Sequence, residues 1–552
     1  MRTKQNIQAL IDALSGSLET GDAINEAALL VTLLSDDAFY GVTSAQDLPK
    51  AYEKAEGSLG QSLELFKNSK LYNTCSGAVI DQAIHQVRCL LEQEETPAIV
   101  SQFIELSVDR GIKGRPDEST LPAPIMDLAV QLLGSNQQPV TLQHTFSLSS
   151  LCTLQAPEKA RLEVLLKATP LSLLVTHLLG ATLQIKAASE IFQPSGASQD
   201  WVIAAPPMAL KLDTKDAEYR YSHEASLNKM LSEVGQKGVL LTPAGLLTQR
   251  SSYSLREKLI EENALAAVIQ LPKGVLKFTN IAPVLLLIDR TRQPGEPVQF
   301  HELESLDETQ VHDLIQSIQG CSAGQTGALA YQNDAREQDY DLTVNRYKLG
   351  PATQAMAKLE GTVNLEGLAK IIKTQNLPTL EADAEDEQAF FEIAPKDITE
   401  NGCIATPEKK IVMDAKYQRR ANNQRVQAGD ILLVIKGSVT KVGYVPKDCP
   451  DNWIAGQSFL ILRPSPKIGT EYLFQYLNSE LVQGYLKERT LGEVMTIIKA
   501  ADVESIPVPL PEPRELKAVR DTHEQIQAEY AAIEQHRQVI GQLKSTLWSL
   551  PN

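Results

Sequence analysis

Over the first 115 residues, apolar side chains recur three and four positions apart: Ile7/Leu10/Ile11/Leu14, then the dense run 27–34, then Ile80/Ile84/Val87/Leu91. That spacing predicts amphipathic helices forming a small N-terminal domain (1–115) with no chemistry of its own. The pattern changes over 139–300. Short apolar runs at 162–166, 201–204, 238–241, 266–271 and 283–288 alternate with helix-like stretches at 170–179 and 254–262. Strands alternating with helices predict an α/β, mostly parallel, doubly wound sheet. Such sheets bind ligands at the carboxyl ends of their strands. Residues 351–390, acidic towards their end and interrupted by Pro378, read as a linker. Beyond it, 391–512 has an α+β look, with turn signals at Ala428-Gly429-Asp430 and Lys436-Gly437-Ser438 on either side of an apolar run. Residues 506–511 are too proline-rich for a helix or a central strand.

The segment 513–552 predicts one long helix. Val519, Ile526, Ile533, Ile540 and Leu547 recur at seven-residue spacing, beside a mixed set of Leu516, His523, Tyr530, Arg537 and Lys544. One apolar stripe beside one mixed stripe suits a coiled-coil-like antiparallel or heteromeric helix pair. It suits equally a helix packed on its own domain.

A length of 552 residues allows three or four domains, and 43% hydrophobic with 22% charged residues is an ordinary globular balance. No apolar run reaches the roughly 18 residues that span a bilayer, and the opening Met1-Arg2-Thr3-Lys4-Gln5 carries no signal core, so a cytoplasmic location without membrane contact is expected. The six cysteines are scattered without a Cys-x-x-Cys pair, which favours reduced thiols over a zinc site or disulfide framework. The eight histidines show no metal-ligand spacing, and no metal is expected. A Gly-x-x-x-x-Gly-Lys loop and a nuclease-like acid cluster are both missing, so motor and nuclease functions would have to come from other chains. Net charge is −17, opposite to that of a simple nucleic-acid binder. The charge is uneven, however: 381–400 carries eight acids against Lys396, while 401–450 carries nine Lys or Arg against four acids. DNA contact, if any, belongs in the C-terminal third.

Several segments then carry a resemblance. They are Trp201-Val202-Ile203-Ala204-Ala205-Pro206-Pro207-Met208, the stretch 238–247, Arg256-Glu257-Lys258-Leu259-Ile260, Leu271-Pro272-Lys273-Gly274, Asn280-Ile281-Ala282-Pro283 and Tyr340-Asp341-Leu342-Thr343-Val344-Asn345-Arg346-Tyr347. In this order they resemble the N6-adenine DNA methyltransferase (modification) subunit of type I restriction systems. The resemblance implies a Rossmann-like methyltransferase fold over 116–350. It also implies a catalytic Asn-Pro-Pro-aromatic loop. There the Asn side chain and a proline carbonyl accept hydrogen bonds from the adenine amine, and the ring stacks on the flipped base. Both prolines remain here (Pro206, Pro207), but Ala205 replaces the amide and Met208 the ring. Alanine offers no acceptor, and methionine only a soft apolar surface.

The family's glycine-rich loop, where the backbone approaches S-adenosylmethionine, corresponds to Gln143-His144-Thr145-Phe146-Ser147-Leu148-Ser149. No glycine occurs between Gly134 and Gly180. The acid that holds the ribose is replaced near Lys167-Ala168-Thr169-Pro170, and Leu121 stands for a threonine in a further cofactor-packing segment, 117–122. With cofactor, target-amine and stacking elements lost together, the expectation is a degenerate domain that binds no cofactor and has no catalytic residues, Ala205, Pro206, Pro207, Met208 and Gln143, Phe146, Ser147, Ser149 being remnants.

The C-terminal third resembles the target recognition domain of type I specificity subunits. The carriers are Val426-Gln427-Ala428-Gly429-Asp430, Lys436-Gly437-Ser438-Val439-Thr440-Lys441-Val442-Gly443-Tyr444, Ile454-Ala455-Gly456-Gln457, Leu491-Gly492, and the proline strip before the long helix. The resemblance implies base reading in the major groove and a spacer helix. Lys409, Lys410, Lys416, Tyr417, Arg419, Arg420 and Arg425 form a basic run with Gln418, Asn422, Asn423 and Gln424 interleaved, and Lys436, Ser438, Lys441 and Lys447 add to it. Arg can read guanine and Asn or Gln adenine. A merely solvated basic surface is the plainer alternative.

The expectation is a catalytically inactive, DNA-binding specificity component of a restriction-like or anti-phage defence complex. Its partners would be double-stranded DNA, subunits supplying motor and nuclease, and a second copy through Val519, Ile526, Ile533, Ile540 and Leu547. The alternatives are an active S-adenosylmethionine-dependent adenine-N6 methyltransferase and an assembly scaffold without DNA contact.

Overall fold

The computed structural model describes residues 2–58, 63–109, 121–134, 138–208, 210–213, 218–276, 283–324, 327–377, 379–381, 389–413, 417–437, 440–490 and 497–547. The chain divides into two compact units, Met1–Lys348 and Leu349–Asn552.

The first unit is built on a sheet of β1 (Val140–Gln143), β2 (Arg161–Leu165), β3 (Thr182–Lys186), β4 (Gln199–Ala204), β5 (Val234–Pro243), β6 (Leu265–Gln270), β7 (Pro283–Asp289), β8 (Val298–Glu302) and β9 (Gly327–Ala330). Their spatial order is β3-β2-β1-β4-β5-β7-β6-β8-β9. Strands β1 to β5 run parallel, and β7 runs antiparallel between β5 and β6. This is the Rossmann-like methyltransferase architecture expected from the sequence. β6 and β7 are buried almost throughout, which is why they read as continuous apolar runs rather than alternating ones. β3, half-exposed at the sheet edge, shows no such run and was not legible.

Local signals set the element ends. The helix Pro170–Leu179 starts on a Thr169/Ser172 capping box with proline at its first position, and ends on Gly180 at φ 72°. The N-terminal helices do not form a core of their own: Ile7, Leu30 and Phe103 share one hydrophobic cluster with Leu142, Leu162 and Leu174. The helix Thr20–Ser35 packs against Pro170–Leu179, so it is enclosed on most sides and its 27–34 stretch is apolar all round.

The second unit holds β10 (Thr362–Asn364), β11 (Ala369–Lys373), β12 (Thr379–Glu381), β13 (Phe390–Ile393), β14 (Lys410–Met413), β15 (Ile431–Val434), β16 (Val442–Tyr444), β17 (Trp453–Ala455), β18 (Phe459–Pro464) and β19 (Pro507–Pro509). Two four-stranded sheets run β11-β18-β15-β16 and β12-β14-β13-β17, and β10 pairs with β19. The linker expectation for 351–390 gives way here. The helix Pro351–Ala357 and strands β10, β11 and β12 are integral, because Met356, Leu365, Leu368 and Ala369 belong to the unit's core. The acidic stretch 382–388 lies outside the described residues. The proline strip forms a strand after all, but in a two-stranded pair where the missing proline N–H groups break no sheet. The C-terminal helix spans Pro513–Leu547. Among the described residues no helix is long and apolar enough to cross a membrane.

Candidate functional sites

Strand order in the first unit reverses between β1 and β4, the position at which doubly wound sheets bind ligands. The turn after β1 and the 205–208 loop meet there. Ala205 N donates to the Gln143 carbonyl at 3.2 Å. After β1 the backbone passes through His144 at φ 71°, ψ 148°, a conformation that favours glycine, and enters a 3-10 helix, Thr145–Cys152. Residues 145–151 are all buried, as are Gln143, Ala205, Pro206 and Pro207, while Met208 is half-buried. Phe146 and Leu148 join the core, each contributing about 1.5–3 kcal/mol of burial. Leu121 packs on this turn: its N–H donates to the Phe146 carbonyl at 3.2 Å, and its carbonyl accepts from Ser149 Oγ at 3.0 Å.

Sequence reading missed the helix Ser222–Glu233, which lays polar side chains against these loops. Ser222 Oγ donates to the Pro207 carbonyl at 2.7 Å, and Leu210 N approaches the same oxygen at 3.3 Å. Ser226 Oγ lies 3.3 Å from His144 Nε2, and the His144 ring stacks on Phe192 at 5.1 Å. Lys229 and Glu233 form a buried pair at 3.8 Å. A polar residue on a buried helix face carries no periodic signature, so nothing in the sequence singled these out. Burial, with the Lys229 charge in second place, pulls His144 down to about 3. Gln143 Oε1, His144 Nδ1 and Ser150 Oγ are buried without a hydrogen-bond partner.

A pH dependence follows. Unfolded His144 binds a proton below about 6.5 and the folded residue does not until about 3, so stability is complete above 6.5 and falls as the pH drops towards 3. Buried His301, lowered to about 4, acts in the same direction. The unfolding free energy from urea titrations recorded from pH 7.5 to 4.5 should fall by up to about 1.4 kcal/mol per pH unit for each histidine. His144→Gly accepts this backbone and should flatten part of that slope. A pH-independent midpoint would contradict the buried neutral imidazole.

In the second unit the basic candidates separate into tied and free groups. Lys409 is ion-paired with Glu392, and Lys441 Nζ donates to the carbonyls of Pro395 (3.2 Å) and Ile398 (2.9 Å), pinning a loop. Lys410 begins β14, and Lys436 is half-buried in a backbone bridge with Ile497. Lys416 and Ser438 lie outside the described residues. Tyr417 precedes the short helix Gln418–Asn423, which exposes Arg419 and Arg420. The Arg420 guanidinium sits 5.6 Å from the Tyr417 ring and that of exposed Arg425 5.2 Å from the Phe390 ring. Gln424 is buried instead: its Nε2 donates to the Ala455 carbonyl at 3.2 Å and its Oε1 accepts from Gln375 N at 2.7 Å.

The C-terminal helix docks on its own domain through the mixed stripe. His523 is buried edge-on between Tyr444 (5.5 Å) and Phe474 (5.6 Å), and Gln527 exchanges two hydrogen bonds with Asn401. Beside this seam is a cleft of about 680 Å³ whose lining includes Asn401, Lys441, Gln475, Ile526 and Tyr530. Ile526, Ile533 and Ile540 face outward at 38%, 45% and 51% exposure, Val519 is half-buried, and the Leu547 side chain lies outside the described residues.

Comparison with known proteins gives these two units a family setting. The N-6 DNA Methylase family matches residues 212–355, and the type I restriction modification DNA specificity domain family matches residues 359–539. The chain is thus similar to N-6 DNA methylases over one stretch and to type I DNA specificity domains over the next. A curated relative is the methylase subunit of the type I restriction enzyme MpnII from Mycoplasma pneumoniae, 24% identical over 129 residues, which cover 21% of this chain and 24% of the relative. The match therefore spans about a quarter of that relative's length. A solved type I restriction-modification methyltransferase subunit from Streptococcus thermophilus shares the fold: 14% identity, TM-score 0.50, covering 63% of this chain and 98% of that one.

The methylase match corrects the expectation that no cofactor is involved, because that family depends on S-adenosylmethionine. The matched span begins at 212, downstream of the 205–208 loop and of the turn after β1, so the degenerate loops on which the expectation rested lie outside it. The partnerless polar atoms of Gln143, His144 and Ser150 suit a polar ligand at the end of β1. The packing of Phe146 and Leu148 means that a ligand there would not be held as a glycine loop holds one. Among the described residues no cluster of histidine, cysteine or carboxylate side chains is arranged around a metal position.

Proposed function

We propose that this chain is a DNA-recognition component of a cytoplasmic restriction-like or defence assembly, and that its methylase region does not methylate adenine. One observation carries the DNA half of this reading. Arg419, Arg420 and Arg425 are exposed with no carboxylate partner among the described residues, in a chain of net charge −17, on the stretch matched to the specificity domain. A local cluster of unpaired cations in an acidic protein is the footprint of polyanion contact. Phosphate contacts would supply affinity and base edges specificity. The test is duplex-DNA retention after charge reversal at these three arginines.

The inactive half is supported by Ala205, Met208 and the Pro207 carbonyl already accepting from Ser222. S-adenosylmethionine bound to this region would bring a transferable methyl group, with Gln143, His144 and Ser150 as the side chains available to hold its polar groups. What position 205 lacks is a side-chain acceptor to orient the adenine amine, since alanine stands there. The methylase match favours a second reading, an active adenine-N6 methyltransferase; a methyl-transfer assay separates the two.

The outward stripe of the C-terminal helix is the surface for a second copy, while motor and nuclease would come from other subunits. Ile533→Asp with Ile540→Asp should convert a micromolar dimer to monomer in light scattering, with helix content unchanged because both side chains are exposed. A wild-type monomer would rule this surface out.

A further inference from the structure

Which side chains read bases can be taken further, on the assumption that the DNA-binding reading above holds. The helix Gln418–Asn423 is anchored by buried Ala421 and, one residue past its end, by Gln424 with both ends of its amide satisfied. At about 100° per residue, Arg419, Asn422 and Asn423 all point within about 50° of the direction opposite those anchors. All three are exposed, and none has a side-chain partner among the described residues. Arg420 projects to the flank beside Tyr417, and Arg425 lies beyond the helix on Phe390.

We propose that the Arg419–Asn422–Asn423 face is the base-reading surface of this chain and that its half-site contains guanine with adenine close by. Arginine pairs through two hydrogen bonds with guanine O6 and N7, and asparagine with adenine N6 and N7, in the major groove. Arg419 to Asn423 spans about 6 Å at about 1.5 Å per residue, which matches roughly two base-pair steps of 3.4 Å. The short helix therefore addresses two or three adjacent base pairs. Arg420 and Arg425, held at aromatic rings to one side, serve the phosphates.

The experiment uses the full chain and a pool of short duplexes with a randomised centre, sequencing what is retained at low salt. Guanine and adenine should be enriched within three positions of each other. Arg419→Ala should erase the guanine preference and weaken binding to the best sequence about tenfold, leaving the adenine preference in place. Asn422→Ala with Asn423→Ala should do the converse, and Arg425→Ala should weaken all sequences alike with the preferences intact. Enrichment that Arg419→Ala leaves unchanged would overturn the assignment. Retention without any enrichment would overturn base reading while DNA binding stands. No retention by the wild-type chain would overturn the DNA-binding reading beneath it.

Discussion

Reversing Arg419, Arg420 and Arg425 to glutamate is expected to weaken duplex-DNA binding by at least about a hundredfold near 0.1 M salt. These are the specificity region's described arginines that carry neither a carboxylate nor a carbonyl partner through their side chains within the basic run 409–425. Reversal at Arg420 and Arg425 removes two counterion-releasing phosphate contacts, reversal at Arg419 removes a base contact, and each adds one repulsion. Fluorescence anisotropy across a salt series should show the log–log slope shrink by about two. Lys409→Gln serves as the comparison. Lys409 already pairs with Glu392, so its loss should change affinity little. Undiminished binding in the triple variant would place the DNA contact elsewhere on the chain, absence of binding by the wild-type chain would leave the scaffold reading, and a large Lys409 effect would relocate the DNA surface to the start of β14.

Incubation with radiolabelled S-adenosylmethionine and adenine-containing duplex should transfer no methyl group above the rate without protein. An acceptor held on a reacting group is worth about 10²–10³ in rate, and base stacking about 1–3 kcal/mol more. Ala205 and Met208 supply neither. Ala205→Asn with Met208→Phe should restore little, because Ser222 Oγ still engages the Pro207 carbonyl and residues 145–151 remain packed. Turnover by the wild-type chain would establish the active methyltransferase instead. Titration of the same protein with S-adenosylmethionine answers a separate question: heat of binding without methyl transfer would mark the nucleoside as a resident ligand of an inactive domain.

Much of the fold was legible because burial leaves periodic traces. The apolar runs of β5, β6 and β7 marked strands enclosed on both faces, and Thr169-Pro170 with Gly180 marked both ends of a helix. The 351–390 linker reading failed because its strands are three to five residues long, too short for alternation to register, and β10 and β11 are half-exposed. At the sites, residue type was readable but partnership was not. Gln424, Lys409 and Lys441 look like DNA contacts in a string of basic and amide residues, yet neighbours far along the chain engage each of them.

The sequence by itself determined the two resemblances and their order, the presence of alanine at 205 and methionine at 208, and the seven-residue stripe of the last helix. These are properties of residue identity and spacing, which need no partner to be true. Tertiary structure alone decided that Ser222 holds the Pro207 carbonyl, that His144 is buried neutral, and that the mixed stripe docks inward while Ile533 and Ile540 face out. Each of these depends on which groups lose water together, and that is set by contacts between segments distant in sequence rather than by any local pattern.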